Sequence, residues 1–315
     1  MEEDTAGDPV SGCKWTRKTT PKVAQQLKQV GIEVSPNTVA RLLKQMNFSL
    51  RVNVKSLESG FRNPPDPQLR DQQFRYIHRQ IRDHRWQCLP VISVDTKSRE
   101  LIGPFHRPGK KWSQSPIPVL DHDFPSDADG VAIPYGIYDL SLNEGFVSVG
   151  TSYDTSEFAV DSIGRWWTQV GWHRYGGVDR LLILADGGGS NGYRTRLWKY
   201  QLQVAFCDRF GLRVQVCHFP PGASKWNPIE HKLFCHISQN WAGQPLRDYE
   251  TTLKFIRSTR TSAGLQVRAT LATKRYSRGT QITNQQMEGL LLERHTERPD
   301  WNYSILPRSK MGNYS

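Results

Sequence analysis

Leu181-Leu182-Ile183-Leu184-Ala185 is an unbroken apolar run that stops on a carboxylate, Asp186, and then on a glycine cluster at Gly187, Gly188, Gly189 and Gly192. A run of strand length, apolar at every position and bounded by glycine, reads as a strand covered on both faces. Two other runs share this character. Pro90-Val91-Ile92-Ser93-Val94 stops on Asp95, and Val214-Gln215-Val216-Cys217-His218-Phe219 stops on Pro220. Covered strands need helices on either side, so the chain is expected to build a layered α/β domain.

The order of elements narrows this further. A strand to Asp95 is followed by an expected hairpin partner over 99–105. Residues 106–130, rich in Pro, Gly, Ser and Asp, read as a long insertion loop. Strand signals resume over 133–140 and 145–153. Then come a helix over about 155–170, the strand to Asp186, a helix over about 193–210, the strand to Phe219 and a helix from Pro228. A further helix over 248–260, a β hairpin over 265–276 and a loosely ordered end from about 295 complete the chain. Three mostly antiparallel strands and then alternating helices and strands describe a sheet of mixed direction, not a repeating βα unit.

Upstream, residues 1–13 read as a disordered lead. Thr20 before Pro21 is a helix start, and Gly31 ends that helix. Ser35-Pro36 opens a second, with Val39, Leu42, Leu43 and Met46 apolar at helical spacing. Two short helices joined by a glycine turn read as a helix-turn-helix over 14–55. Asn37, Arg41 and Lys44, followed by Arg51, are residue types that suit base edges and phosphates, so they are candidates for DNA contact. The alternative is a helical hairpin that only packs. Gly60, Pro64, Pro65 and Pro67 mark a linker, and a polar helix follows to about 86, so 56–88 is linker and helix. The main domain is expected over 89–262, with 263–315 as a C-terminal extension.

Charge supports a polyanionic partner: the chain of 315 residues carries a formal net charge of +12, which favours nucleic acid. No run approaches a membrane span. The acidic start Met1-Glu2-Glu3-Asp4 has no apolar core and is not a secretory signal. The 5 cysteines are odd in number and irregular in spacing, which fits a reducing cytosol.

Asp95, Asp186 and Glu230 are the candidate catalytic and metal-holding residues. Two divalent ions can activate an attacking oxygen and stabilise a leaving oxygen in displacement at phosphorus, and Mg²⁺ takes hard oxygen ligands. Acids ending adjacent strands would emerge at one sheet edge, and Glu230, in the first turn of a helix, could face them. Each has a structural alternative. The strand-end acids could cap their loops. Asn227 as N-cap with Glu230 three positions on matches a capping box.

Two other patterns compete. Gly187, Gly189 and Gly192 match the dinucleotide fingerprint, whose acid about 20 residues on is absent here. His231 and Cys235 share a helical face, yet the paired cysteines of structural zinc sites are missing.

At this point the chain resembles a family. Val91-Ile92-Ser93-Val94-Asp95-Thr96-Lys97, Ala132-Ile133-Pro134-Tyr135-Gly136-Ile137-Tyr138-Asp139, Ala185-Asp186-Gly187-Gly188-Gly189-Ser190-Asn191-Gly192 and Cys217-His218-Phe219-Pro220-Pro221-Gly222 resemble the ISAzo-type insertion-sequence transposases, as do Ser224-Lys225-Trp226-Asn227, Ile229-Glu230-His231 and Gln239-Asn240-Trp241. Asn227-Pro228-Ile229-Glu230 also resembles the third-acid motif of mariner-like elements. The resemblance implies a DDE transposase with a mixed ribonuclease H-like sheet, helices on both faces and a small all-α helix-turn-helix region before it. It implies Asp95, Asp186 and Glu230 as the acid triad, with two Mg²⁺ (or Mn²⁺) ions as cofactors. Lys225 and Asn191 are implied to hold DNA near the metals. The implied partners are double-stranded DNA, as terminal inverted repeats and as target, and further copies of the chain in a synaptic complex. No membrane is involved, and the setting is a bacterial cytoplasm at the nucleoid. The family also implies a longer N-terminal region and a Lys where this chain has Pro228. The alternatives from other classes are a non-catalytic DNA-binding protein and a nucleotide-dependent oxidoreductase.

Overall fold

The computed structural model describes residues 5–7, 14–16, 19–49, 66–223 and 226–308. The chain divides into two compact units, Met1–Glu58 and Ser59–Ser315.

In the first unit, β1 (Thr5–Gly7) pairs antiparallel with β2 (Lys14–Thr16), so part of the expected disordered lead is strand. Helices α1 (Thr20–Gln29) and α2 (Pro36–Gln45) follow. Thr19, one residue earlier than expected, is the N-cap of α1. Ser35 caps α2 by accepting from the Thr38 amide at 3.1 Å, satisfying one of the free N–H groups of the first turn. Gly31 between them has φ +83°, a left-handed turn that glycine enters without penalty. Val23, Ala24 and Val39 form the small core.

The second unit begins with α3 (Pro67–Trp86). Then come β3 (Val91–Thr96), β4 (Glu100–Ile102), β5 (Gly130–Asp139), β6 (Glu144–Gly150) and α4 (Ser156–Trp166). A π turn, Trp167–Gly171, runs on into α5 (Trp172–Tyr175), and β7 (Arg180–Ala185) follows. The next helical stretch is α6 (Arg196–Gln201), a π turn Leu202–Cys207 and α7 (Asp208–Phe210), before β8 (Arg213–His218). A π turn Glu230–Phe234 leads into α8 (Cys235–Asn240), and α9 (Tyr249–Ser258) precedes β9 (Gln266–Ala272). The chain continues with α10 (Asn284–Glu288), β10 (Leu292–Arg294) and β11 (Asn302–Ile305).

The sheet order is β10-β11-β8-β7-β3-β5-β6-β9. β5 runs antiparallel to both β3 and β6, while β7 and β8 run parallel to β3. This is the mixed ribonuclease H-like sheet: three antiparallel strands, then two parallel ones added beside the first. Alternation along the strands splits the core. Ile92, Val94, Leu181 and Ile183 pack against α4 and α6 through Phe158, Trp166 and Trp198. Val91, Leu182 and Leu184 face α3 through Tyr76 and Ile77. Farther along the sheet, Val147 and Val149 pack on Leu233, Phe234, Leu253 and Ile256. No helix among the described residues is long and apolar enough to cross a membrane.

Three further expectations are corrected. β4 pairs with β5, not with β3. The expected hairpin over 265–276 is one strand, β9, parallel to β6. The expected loose end holds β11, hydrogen-bonded antiparallel to β8. Of the expected loop over 106–130, residues 106–129 do form a loop, with one short 3₁₀ turn at Pro125–Asp127, and Gly130 already belongs to β5. The expected linker at 56–65 lies outside the described residues.

Candidate active site

Register decides where the first two acids meet. Val94 of β3 pairs in parallel with Ala185 of β7. The next residues are Asp95 and Asp186, so two carboxylates leave one sheet edge side by side. Parallel strands impose this, because both chains leave the sheet at the same end.

Glu230 arrives by a different route. Ser93 Oγ donates to Asn227 Oδ1 and accepts from the Ile229 amide at 3.2 Å. Asn227 Nδ2 donates to Asp186 Oδ1 at 3.0 Å. Asn227 is fully buried, so these bonds are made away from competing water. The start of the Glu230 helix is thereby tied to both acid-bearing strands. The expected capping box does not form, because the Asn227 side chain turns inward to Ser93 and Asp186. Glu230 is released from that structural role, and it begins a π turn.

Glycines let this helix sit close. Gly136 pairs with Asp95 across β3 and β5. A Cβ on Gly136 would stand 2.5 Å from Phe234 and 2.9 Å from Ile229, and one on Gly145 2.5 Å from Leu233. Only a residue without a side chain permits that approach.

The acids feel one another. Burial first, then the Asp186 carboxylate, push the Asp95 carboxyl up to about 8; Glu230 and Asp154 add to this, and the Thr96 amide opposes it. Burial, with a contribution from Glu230, raises Asp186 to about 6 against the Asn227 amide. Glu230 is raised by burial and held down by Lys97 and His231. Half-buried carboxylates that repel each other in this way are a site that favours a cation.

Among the described residues, no three His, Cys, Asp or Glu side chains form a cluster that could hold one metal ion by themselves. Mg²⁺ does not need one, since it usually takes one or two protein carboxylates and fills its shell with water and phosphate. The donors present fit that mode, with Asp95 and Asp186 as neighbours and Glu230 near enough for its charge to raise both. Asp95 and Asp186 line a cavity of about 400 Å³ with Gly187, Gly188, Gly189 and Arg194. Glu230 and Lys97 line a separate cavity of about 460 Å³. A larger, mostly apolar groove of about 500 Å³ runs along α3, and none of the three acids lines it.

Sequence reasoning missed several residues here. Asp154 accepts from Thr96 Oγ1 at 3.1 Å and its charge reaches Asp95. Its place shortly after β6 is a strand-end signal like those of the other acids. Ser93 and Asn227 gave no chemical signal, because their role exists only through their pairing. Lys97 makes an ion pair with Glu100 at 2.6 Å.

The other candidates are placed as follows. Asn37, Arg41 and Lys44 are exposed along one side of α2. Arg51 and Lys225 lie outside the described residues. Asn191 is buried, 1 % exposed, with its carbonyl accepting from His218 Nε2 at 2.8 Å, so it is not presented to solvent. The dinucleotide reading fails on geometry: Gly189–Asn191 is a 3₁₀ turn and α6 begins only at Arg196. The glycines therefore do not lead directly into a helix N-terminus that could cradle a pyrophosphate. The zinc pattern dissolves as well, since Cys235 Sγ donates to the His231 carbonyl at 2.9 Å.

A family model described as Rhodopirellula transposase DDE domain matches residues 1–307. No curated protein matches the chain. Among solved structures, the chain is similar to a Mos1 transposase paired-end complex with left transposon end, at 14% identity over 76% of this chain and 65% of that one, with a TM-score of 0.40. It is also similar to a Mos1 mariner paired end complex with Mn, at 13% identity, 76% and 65% coverage and a TM-score of 0.42. A Mos1 strand transfer complex gives 14% identity, 76% and 64% coverage and a TM-score of 0.43. The chain thus spans a little less than two thirds of the length of these solved relatives.

Proposed function

The chain belongs to the Rhodopirellula transposase DDE-domain family, and from that premise we propose that it is an insertion-sequence transposase that cuts DNA at element ends and joins the freed 3′-hydroxyl to target DNA. The observation that carries the reading is the tie from Glu230's helix through Asn227 and Ser93 to the strands that end in Asp95 and Asp186. A tie of that kind supports a site in which the helix bearing Glu230 is anchored to the strands that end in the other two acids.

Asp95, Asp186 and Glu230 are the catalytic and metal-holding residues of this reading. The cofactor would be Mg²⁺ or Mn²⁺, as two ions, and Asp95, Asp186 and Glu230 would hold them. Bound divalent ions supply Lewis acidity at the attacking and leaving oxygens of the phosphodiester. The chain's own residues do the rest. Asn227 fixes the orientation of Asp186 by donating to one of its oxygens. The Thr96 amide fixes Asp95 in the same manner, at 2.7 Å. Arg194, on the wall of the cavity that holds both acids, is placed to meet a DNA phosphate.

The exposed Asn37, Arg41 and Lys44 contact the terminal inverted repeats, with Arg51 and Lys225 as further DNA contacts. The protein acts as a homo-oligomer in a synaptic complex, at the nucleoid of a bacterial cytoplasm.

The test is incubation of purified protein with element-end DNA and Mg²⁺ or Mn²⁺. Cleavage is expected with wild type, and Asp186→Ala reduces it to the level seen with chelator. Wild type cutting no better than Asp186→Ala overturns the reading.

A further inference from the structure

The loop from His106 to Asp129 carries its charges in two blocks. Arg107, Lys110 and Lys111 occupy the first half, and Asp121, Asp123, Asp127 and Asp129 the second. Residues 108–116 are exposed throughout. Trp112 is completely exposed, at 104%. Lys110 and Lys111, immediately before it, make no ion pair among the described residues. An indole left in water between polar neighbours has no stabilising role in the fold, and it is the kind of surface group that stacks on a partner ring.

The root of this loop is fixed, although its tip is not packed. Arg107 Nη1 binds Glu100 Oε2, Glu100 Oε1 binds Lys97 Nζ at 2.6 Å, and all three side chains are almost buried. Both cations lie over the Trp241 ring, at 4.8 Å for Lys97 and 5.7 Å for Arg107. The Gly243 amide donates to the Pro108 carbonyl at 3.0 Å. A Cβ on Gly109 would stand 2.7 Å from that of Ala242. Lys97 is two residues from Asp95 and lines one cavity with Glu230. The tip therefore projects from a rigid base beside the acids.

We propose that Lys110, Lys111 and Trp112 form a DNA-gripping arm, the two lysines on backbone phosphates and the indole stacked on an unpaired base next to the cut site. Paired cations ahead of a free aromatic ring suit single-stranded DNA, where phosphates are tracked electrostatically and bases stack on π faces. The inference rests on the DNA-cutting reading and extends it to the form of the substrate: a duplex with a frayed or overhanging end is held better than a fully paired one.

The test compares DNA affinity of the full chain on a blunt duplex and on the same duplex with a short single-stranded overhang, over a range of salt. Lys110→Ala/Lys111→Ala is expected to weaken binding to both DNAs and to lower the steepness of log affinity against log salt by about 2, from two lost phosphate contacts. Trp112→Ala is expected to weaken binding to the overhang DNA by roughly tenfold, with little change on the blunt duplex and no change in salt slope. All three side chains are exposed, so the variants fold. If both variants bind as wild type does while wild type binds DNA with a steep salt response, the arm is overturned and the transposase reading stands. If the variants change self-association in sedimentation and leave DNA affinity untouched, the arm is a protein contact and the proposal falls. If wild type binds no DNA, both readings fall.

Discussion

Asp95 carries the clearest residue-scale consequence. Its carboxyl rises from 3.8 unfolded to about 8 folded. An acid that holds its proton more tightly when folded stabilises the fold while protonated, so this contribution is complete below about 3.8 and is lost as pH rises through about 8. Asp186, raised to about 6, acts in the same sense. Buried His218, lowered to about 4, acts in the opposite sense up to about pH 6.5, so the acid effect is read as a difference. In chelator, the melting temperature of wild type relative to Asp95→Asn should fall between about pH 4 and 8. Millimolar Mg²⁺ at pH 8 should recover much of the loss, because a bound cation favours the ionised carboxylates. Parallel melting profiles for the two proteins would mean that Asp95 is not in a crowded acid site. Asp95 and Asp186 were legible in the sequence because each ends an apolar run. Asn227 was legible only as a helix cap, since nothing local reveals that its amide reaches a carboxylate 41 positions away.

At the scale of elements, the helix that starts at Pro228 is positioned by what β5 and β6 lack. Gly136→Ala would place a methyl carbon 2.5 Å from Phe234 and 2.9 Å from Ile229. Overpacking of this kind costs about 1–3 kcal/mol, and the helix that yields is the one bearing Glu230. DNA cleavage by Gly136→Ala, measured where denaturation shows it fully folded, should fall by about tenfold or more, since a displacement of about 1 Å at a reacting centre can cost about a hundredfold. Gly188→Ala, with nothing within 4 Å, should stay within about 0.5 kcal/mol of wild type in stability. Equal stability of the two variants would remove the packing argument. Covered strands were readable as elements, but their partners were not. β9 pairs with β6, far behind it in the chain, and β11 has only four residues, two of them polar, against β8. Short mixed-polarity strands owe their state to a neighbour's free edge, which local pattern does not record.

For the molecule as a whole, the excess positive charge sets the response to salt. If six or more phosphates are contacted, DNA affinity should drop by roughly a thousandfold or more between about 50 and 200 mM salt. A flat dependence, measured on element-end duplex, would refute the assignment of the exposed Asn37, Arg41 and Lys44 face and of the overall charge to DNA contact. The two units are built on separate cores, one of Val23, Ala24 and Val39 and one spread over both faces of the nine-stranded sheet.

By itself the sequence determined the class of sheet, the strand ends that carry Asp95 and Asp186, and the family. Apolar runs, glycine punctuation and long motifs are local properties that survive without neighbours. Tertiary structure alone decided which strands lie side by side, that Asp154 stands near Asp95 and Lys97 near Glu230, and that Glu230 does not cap its helix. Those outcomes depend on hydrogen bonds and close approaches between residues distant in the chain, such as Thr96 with Asp154 and Ser93 with Asn227, and no local pattern encodes them.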